Sequence, residues 1–461
     1  MSQEHFHFIG IGGAGMSGIA RIMLAQGRVV SGSDAKESAV TAQLHTLGAK
    51  IFIGHAAQNQ LEADVVVVSS AISPQNPELL AAHARGVRVI PRAMALALVM
   101  EGKRSVAVAG THGKTTTTSM LTVALQRSGM DPSFAIGGMI NNSGTNAHLG
   151  SGDIFVAEAD ESDGSFLAYK PLGAIITNLE LDHVDHFPSL EVLTEAFLAF
   201  IESISPDGFL VACADDENVR NLLAKVRRKD LRVLTYGREN SFNDFQLSRI
   251  HLEPNSGVAR VTHKGKVLGE LELSIPGEHN LFNAAAALAS AYALGVPLAD
   301  VFTGLSEFSG SRRRFELKGT VNQIRVIDDY GHHPTEVRVT LETARRYVGN
   351  GKVFVIFQPH RYTRTQMFAT EFGEALNLAD QIYLLEVYAA SEEPIPGVSS
   401  ITIARGQSED KFHYQPSMIE VIDQVSVAVE PGDLIVTLGA GDVNSLAPVL
   451  LNALEERFAQ N

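Results

Sequence analysis

The chain has 461 residues, 45% of them hydrophobic and 19% charged, with a formal net charge of −15 at pH 7. That length allows about three domains, each able to bury a sizeable core, while the acidic balance excludes a protein that reads nucleic acid through a broad basic face. Cys213 is the only cysteine, which excludes internal disulfides and multi-cysteine zinc sites.

Met1–His5 carries no basic leader, and no apolar run approaches the ~18 residues of a membrane span. A soluble, cytoplasmic enzyme of a reducing compartment is expected. Short apolar runs alternate with helical patterns throughout, which predicts an α/β architecture with parallel sheets.

The first strand is expected at His5–Ile9. It runs into Gly10-Ile-Gly-Gly-Ala-Gly15, where Gly10, Gly12 and Gly15 fit G-x-G-x-x-G, and Asp34 follows a second apolar strand. This pattern brings backbone amides onto a diphosphate and a carboxylate onto a ribose hydroxyl. A UDP-sugar carries the same diphosphate and ribose as NAD. The added Gly13, Met16 and an ATP-type loop downstream favour the UDP-linked ligand, with a purely structural turn as the bland alternative. A strand at Val65–Val68, a helix near Ala93–Met100 and a linker at Glu101–Arg104 complete this segment.

A second start follows. Ser105–Ala109 reads as a buried strand, Gly110-Thr-His-Gly-Lys-Thr-Thr116 as a phosphate loop, and Ser119–Ser128 as a helix stopped by Gly129. Strand, glycine loop and helix start are the setting in which amides and the helix dipole hold phosphates. Lys114 would reach the β/γ-phosphates of ATP, and the Thr115 hydroxyl a Mg²⁺ ion. Val108 occupies the first glycine position of the strict motif, so the match is partial.

Glu158-Ala-Asp-Glu-Ser-Asp163 follows the expected strand Asp153–Ala157. Glu158 is the best-placed carboxylate for a hard cation, and Asp160, Glu161 and Asp163 are either further ligands or an acidic surface. Past the strand Gly173–Thr177, His183 could bind a second Mg²⁺ or a phosphate oxygen, or simply be a satisfied loop residue. Short antiparallel strands are expected at Arg249–Leu252, Val258–Thr262 and Leu271–Leu273. An alanine-rich helix follows Asn280, and Asn280 and Asn283 could cap it or read an adenine edge.

The third segment opens near Ser311–Arg314, with strands expected at Ile324–Ile327, Val353–Phe357, Gln381–Leu385 and Leu434–Leu438. Arg361 and Arg364 lie just past the second of these, either as a carboxylate clamp or as solvated arginines.

Gly-Ile-Gly-Gly-Ala-Gly-Met16, Gly-Thr-His-Gly-Lys-Thr115, Glu158-Ala-Asp-Glu-Ser162, Asn178-Leu-Glu-Leu-Asp-His183 and Gly-Glu-His-Asn280, in this order, resemble the Mur ligase family over essentially the whole chain. These are the ATP-dependent amide-forming enzymes of peptidoglycan precursor synthesis. Asp328-Asp-Tyr-Gly-His-His-Pro-Thr-Glu336, Phe357-Gln-Pro-His-Arg-Tyr-Thr-Arg-Thr365 and Leu438-Gly-Ala-Gly-Asp442 resemble the alanine-adding branch.

The resemblance implies three domains: residues 1–102 for UDP-N-acetylmuramate, 103–311 for ATP on a P-loop-type fold, and 312–461, Rossmann-like as is the first, for L-alanine. Gly10, Gly12, Gly13, Gly15, Asp34 and Ser69 would serve the UDP-sugar. Gly110, Thr111, His112, Gly113, Lys114, Thr115 and Thr116 would hold the ATP phosphates. Asn280 and Asn283 would meet adenine, with Arg312 and Asp329 near ATP at the domain junction. Thr115 and Glu158 would hold one Mg²⁺ and His183 a second. Tyr330, His332, Arg361 and Arg364 would surround the alanine, with Lys114, His183 and Arg361 the catalytic set. Several relatives support the second metal with a carbamylated lysine, but no lysine occurs here between Lys170 and Lys225.

The alternatives are a ligase attaching a recycled tripeptide to the same sugar, an NAD-dependent oxidoreductase, or a non-catalytic nucleotide-binding regulator.

Overall fold

The first sheet is wholly parallel, its five strands ordered Lys50–Ile53, Val29–Asp34, His5–Ile9, Val65–Val68, Arg88–Pro91. The strand order reverses about His5–Ile9, whose Phe6 and Phe8 are fully buried. Its carboxyl end is therefore the switch point where ligands collect, and Gly10–Gly13 leads from there into the helix Ala14–Ala25. This architecture belongs to a computed structural model that describes residues 4–162, 164–184, 186–238 and 243–459.

In the second, ten-stranded sheet, Arg104–Ala109 lies between Ile154–Glu158 and Gly173–Ile176, parallel to both. That arrangement sets Glu158 on one side of the phosphate loop and the Asn178–His183 segment on the other. Phe209–Cys213 and Arg232–Arg238 extend the parallel part. The antiparallel strands are longer than expected, at Phe245–Glu253, Ser256–His263 and Lys266–Leu273, and they continue this same sheet.

The helix after the loop runs Lys114–Arg127, a full turn ahead of the expected start at Ser119. Threonine is a weak helix former in isolation. Here Thr115–Leu125 are buried, and Thr118, Ser119 and Thr122 donate their hydroxyls back to the carbonyls of Lys114, Thr115 and Thr118. Burial and these back-bonds satisfy the hydroxyls. The helix packs against Glu278–Leu294, whose Ala284–Ala289 are fully buried.

The third sheet has six strands, in the order Glu316–Val321, Ile324–Asp329, Leu434–Leu438, Val353–Phe357, Gln381–Leu384, Phe412–Tyr414, all parallel except the first. Its carboxyl ends launch Tyr330–His333 and Gln358–Arg364 toward the phosphate loop of the second sheet. Among the described residues, no helix is long and apolar enough to cross a membrane.

Candidate active site

The first glycine loop is built for close approach. Gly10 has φ +77°, and a Cβ at Gly12 would lie 2.8 Å from Asp34 Oδ2. That same oxygen accepts the Gly12 N–H at 2.9 Å, so Asp34 fixes the turn in addition to any ribose contact. Ser69 begins a turn to Ile72, whose Cδ1 lies 3.2 Å from where a Gly10 Cβ would sit. Gly15 abuts Arg92, and Arg92 Nη2 pairs with Asp160 Oδ2 at 3.1 Å. This ion pair ties the first sheet's loop to the acidic motif of the second.

The phosphate loop tolerates no side chain at its two glycines. Gly110 has φ +130° with Thr177 Oγ1 at 2.1 Å from a would-be Cβ, and Gly113 has φ +81° with Asn283 Oδ1 at 2.7 Å. Lys114 folds over the loop, donating to the carbonyls of Gly110 (2.7 Å) and Thr111 (3.0 Å) and to Glu161 Oε1 (2.8 Å). Burial works against its charge, but Glu161 and Asp160 outweigh that and raise its pKa. Glu161 sits in the opposite balance: burial, only partly offset by Lys114, lifts it to about 7. Thr116 occupies the first helical turn.

Thr115 Oγ1 donates to Glu158 Oε1 at 2.9 Å, and Glu158 Oε2 accepts the Gly137 N–H at 2.7 Å. His183, at φ +52°, places Nε2 3.8 Å from both Glu161 Oε1 and Asp182 Oδ2. A non-glycine residue held at positive φ stores strain that the surrounding structure must hold. Asp163 lies outside the described residues.

Asn280 donates to the Pro276 carbonyl at 2.7 Å and accepts from Asn283 Nδ2 at 3.3 Å, while Asn283 Oδ1 accepts from Thr117 at 3.1 Å. Both line a cavity of about 240 Å³ together with Gly113, Thr116 and Asp329. Asp329 is committed internally: Oδ2 accepts the Phe315 N–H, and Oδ1 accepts the Gly331 N–H and the Thr340 hydroxyl. Arg312 is exposed, lining the mouth of an adjoining cavity.

That adjoining cavity, of about 520 Å³, is where all three sheets meet. It is lined by Ala14 from the first, Lys114, Thr115, Glu158 and His183 from the second, and Tyr330, His332, Arg361 and Arg364 from the third. Arg364 is almost wholly buried, and its Nε and Nη2 both donate to Asp182 Oδ1 at 3.0 and 2.7 Å. Burial alone would raise the Asp182 pKa, but Arg364 and His183 hold it far below the usual carboxylate range. Burial lowers His332 to about 3 and His360 to about 4, so the third-sheet wall carries neutral imidazoles.

Sequence reasoning passed over several groups the fold brings here. Asp182 and His360 stand inside quoted motifs but only the tertiary structure gives them partners. Glu180 and Glu336 flank His112 at 3.1 and 3.3 Å. Burial works against the His112 charge, yet these two carboxylates raise it to about 9. Acidic residues following strand ends were the available signal.

Comparison with known proteins follows this geometry segment by segment. Residues 5–104 match the family model described as Mur ligase family, catalytic domain; residues 108–291 match Mur ligase middle domain; residues 313–441 match Mur ligase, glutamate ligase domain. The chain belongs to the Mur ligase family. Among Mur ligases, the UDP-N-acetylmuramate–L-alanine ligase of Saccharopolyspora erythraea is 50% identical over 459 residues, covering 98% of this chain and 94% of its own. A solved UDP-N-acetylmuramate-alanine ligase from Thermotoga maritima superposes with a TM-score of 0.82 at 31% identity, covering 98% and 99% of the two chains. A murein peptide ligase from Psychrobacter arcticus gives 0.74 at 28% identity, with 98% of each chain covered.

Proposed function

We propose that this chain is an ATP-dependent ligase that joins L-alanine to the muramic acid carboxylate of UDP-N-acetylmuramate. One observation carries the reading: a single cavity is lined by the helix start of the UDP-sugar-type loop, the phosphate loop with its carboxylates, and the Tyr330–Arg364 wall. The 50% identity to an alanine ligase over nearly the full chain favours alanine over a tripeptide.

A carboxylate does not accept an amine at neutral pH, because its oxygen is a poor leaving group. In the first step, a carboxylate oxygen of the muramate attacks the γ-phosphorus and ADP departs, leaving an acyl phosphate. Helix-start amides and Lys114 neutralise charge on the transferring group. The alanine nitrogen, as the free amine, then attacks the acyl carbon, a tetrahedral intermediate forms, and it collapses to the amide as phosphate leaves and takes up the proton lost from nitrogen. Arg361 holds the alanine carboxylate. The neutral His332 and His360 add no positive charge beside the incoming amine. Residues from three sheets hold both reactants together and keep out water that would hydrolyse the acyl phosphate.

The donor set fits Mg²⁺. Thr115 Oγ1 and Glu158 Oε1 are hard oxygens 2.9 Å apart, and Glu161 Oε2 is buried without a hydrogen-bond partner beside His183. Bound by Thr115 and Glu158, with His183 serving a second ion, Mg²⁺ would offset phosphate charge.

Phosphate release measured with ATP, UDP-N-acetylmuramate and a panel of amino acids tests this reading. Release that depends on both the sugar and L-alanine supports it. Release with the tripeptide and not with alanine moves the chain to the recycling branch, and NAD binding without ADP formation refutes the ligase reading altogether.

A further inference from the structure

Away from Glu158 and His183, a second group of donors converges between the phosphate loop and the third sheet. His112 Nε2 lies 3.1 Å from Glu180 Oε2, and His333 Nδ1 lies 3.8 Å from that same oxygen. One donor atom from each of the three residues falls within 4.8 Å of the others. We propose that His112, Glu180 and His333 form a binding site for a borderline transition-metal ion of the Zn²⁺ class, bridging the second and third sheets.

The donor chemistry selects the ion. Two imidazoles in a set of three ligands suit zinc or its neighbours, whereas Mg²⁺ sites are dominated by oxygen ligands and water. Tetrahedral zinc with bonds of about 2.0–2.1 Å sets its ligand atoms about 3.3 Å apart. The two separations from Glu180 Oε2, 3.1 and 3.8 Å, bracket that value, and the two histidine donors lie within 4.8 Å of each other. Three protein ligands leave a fourth position for water.

Outer partners are in place for His112 and Glu180. His112 Nδ1 faces Glu336 Oε1 at 3.3 Å, which would keep a proton on Nδ1 while the ion displaces the proton that Nε2 shares with Glu180. Thr335 Oγ1 donates to Glu180 Oε1 at 2.7 Å, fixing the carboxylate with its other oxygen inward. His333 is buried, and its Nε2 has no hydrogen-bond partner. Its Nδ1 now accepts a long 3.3 Å bond from the Thr335 N–H at the start of helix Pro334–Val348. Metal ligation would replace that weak cap.

The consequence is mechanical. His112 and Glu180 belong to the ATP-type half and His333 to the amino-acid half, so the ion would pin the two in the arrangement seen here. Glu180 also lines the cavity that holds Asn280 and Asn283. Micromolar Zn²⁺ would therefore slow nucleotide exchange, and excess Mg²⁺ would not reverse the effect.

The test is Zn²⁺ binding to the whole chain without nucleotide or sugar, in millimolar Mg²⁺, by competition with a chromogenic chelator. It is independent of the substrate assignment. The expectation is one ion per chain with micromolar or tighter affinity, weakened at least tenfold in both His333→Asn and Glu180→Gln. Asparagine at 333 retains an N-capping side chain, and matched melting curves without zinc verify the fold. Absence of stoichiometric binding, or wild-type affinity in either folded variant, overturns the site.

Discussion

Arg364 spends two of its three guanidinium nitrogens on one oxygen, Oδ1 of Asp182, across the junction of the second and third sheets. Its third nitrogen lies 3.3 Å from His360 Nδ1. Arg364 therefore acts as a strut between the sheets, whereas Arg361, 30% exposed in the same cavity with Nη1 3.9 Å from Glu392 Oε1, is the arginine we propose for the alanine carboxylate.

Arg361→Lys keeps the charge but loses the planar fork. It should raise the KM for L-alanine by roughly ten- to hundredfold, corresponding to about 1.4–3 kcal/mol, with a far smaller change in the KM for ATP. Steady-state kinetics decide this. An unchanged alanine KM in Arg361→Lys removes the clamp.

Asp182→Ala strands a buried guanidinium. Removing one partner of a buried pair costs about 3–5 kcal/mol, so the variant should unfold at visibly lower denaturant. A wild-type midpoint would show that the pair contributes nothing.

These relationships mark the limit of what the sequence discloses. The loop Gly110–Gly113 and its strand are legible because the signal is local: an apolar run, glycines where φ is positive, and a lysine beside them. Asp182 and Arg364 are 182 positions apart, and Arg92 and Asp160 are 68. Only sheet order brings such pairs together, and no local pattern encodes it. The helix start at Lys114 was hidden for a related reason, since a threonine run is helical only once burial and back-bonding support it. Asp34 fitted the ribose role by spacing, whereas its bond to the Gly12 N–H depends on the turn closing.

Lys114→Ala should abolish phosphate release while UDP-N-acetylmuramate still binds, because the Gly10–Gly15 loop stands on a different sheet. Calorimetric titration with the sugar nucleotide, alongside the turnover assay, separates the two. Near-normal turnover would strip Lys114 of its phosphate role.

Glu158→Gln replaces a carboxylate with a poorer ligand for a hard cation. The Mg²⁺ concentration needed to saturate activity should rise. An unaltered Mg²⁺ titration would mean that Glu158 is not a ligand.

Glu78 is fully buried in the first sheet's layer and accepts from Ser33 (2.6 Å), Asn59 (2.6 Å) and the Ala56 N–H (3.1 Å), with His7 Nε2 at 3.3 Å. Burial would raise its pKa, but these partners lower it overall. A depressed folded pKa contributes stability above the unfolded value of about 4.3, which is lost as pH falls through the lower folded value. Glu78→Gln, which sets an amide against those donors, should cost about 1–3 kcal/mol at neutral pH. The gap from wild type should narrow in acid. Denaturant midpoints for both proteins at pH 7 and at about pH 3 check the sign, and a gap that widens in acid would refute it.

On the proposed route, the muramate carboxylate is activated by phosphoryl transfer before alanine attacks. UDP-N-acetylmuramate labelled with heavy oxygen in that carboxylate, turned over with ATP and L-alanine, tests it most directly. Mass spectrometry of the products should find one heavy oxygen in each inorganic phosphate and one retained in the amide carbonyl. Unlabelled phosphate, or label carried into AMP, would contradict the acyl-phosphate route.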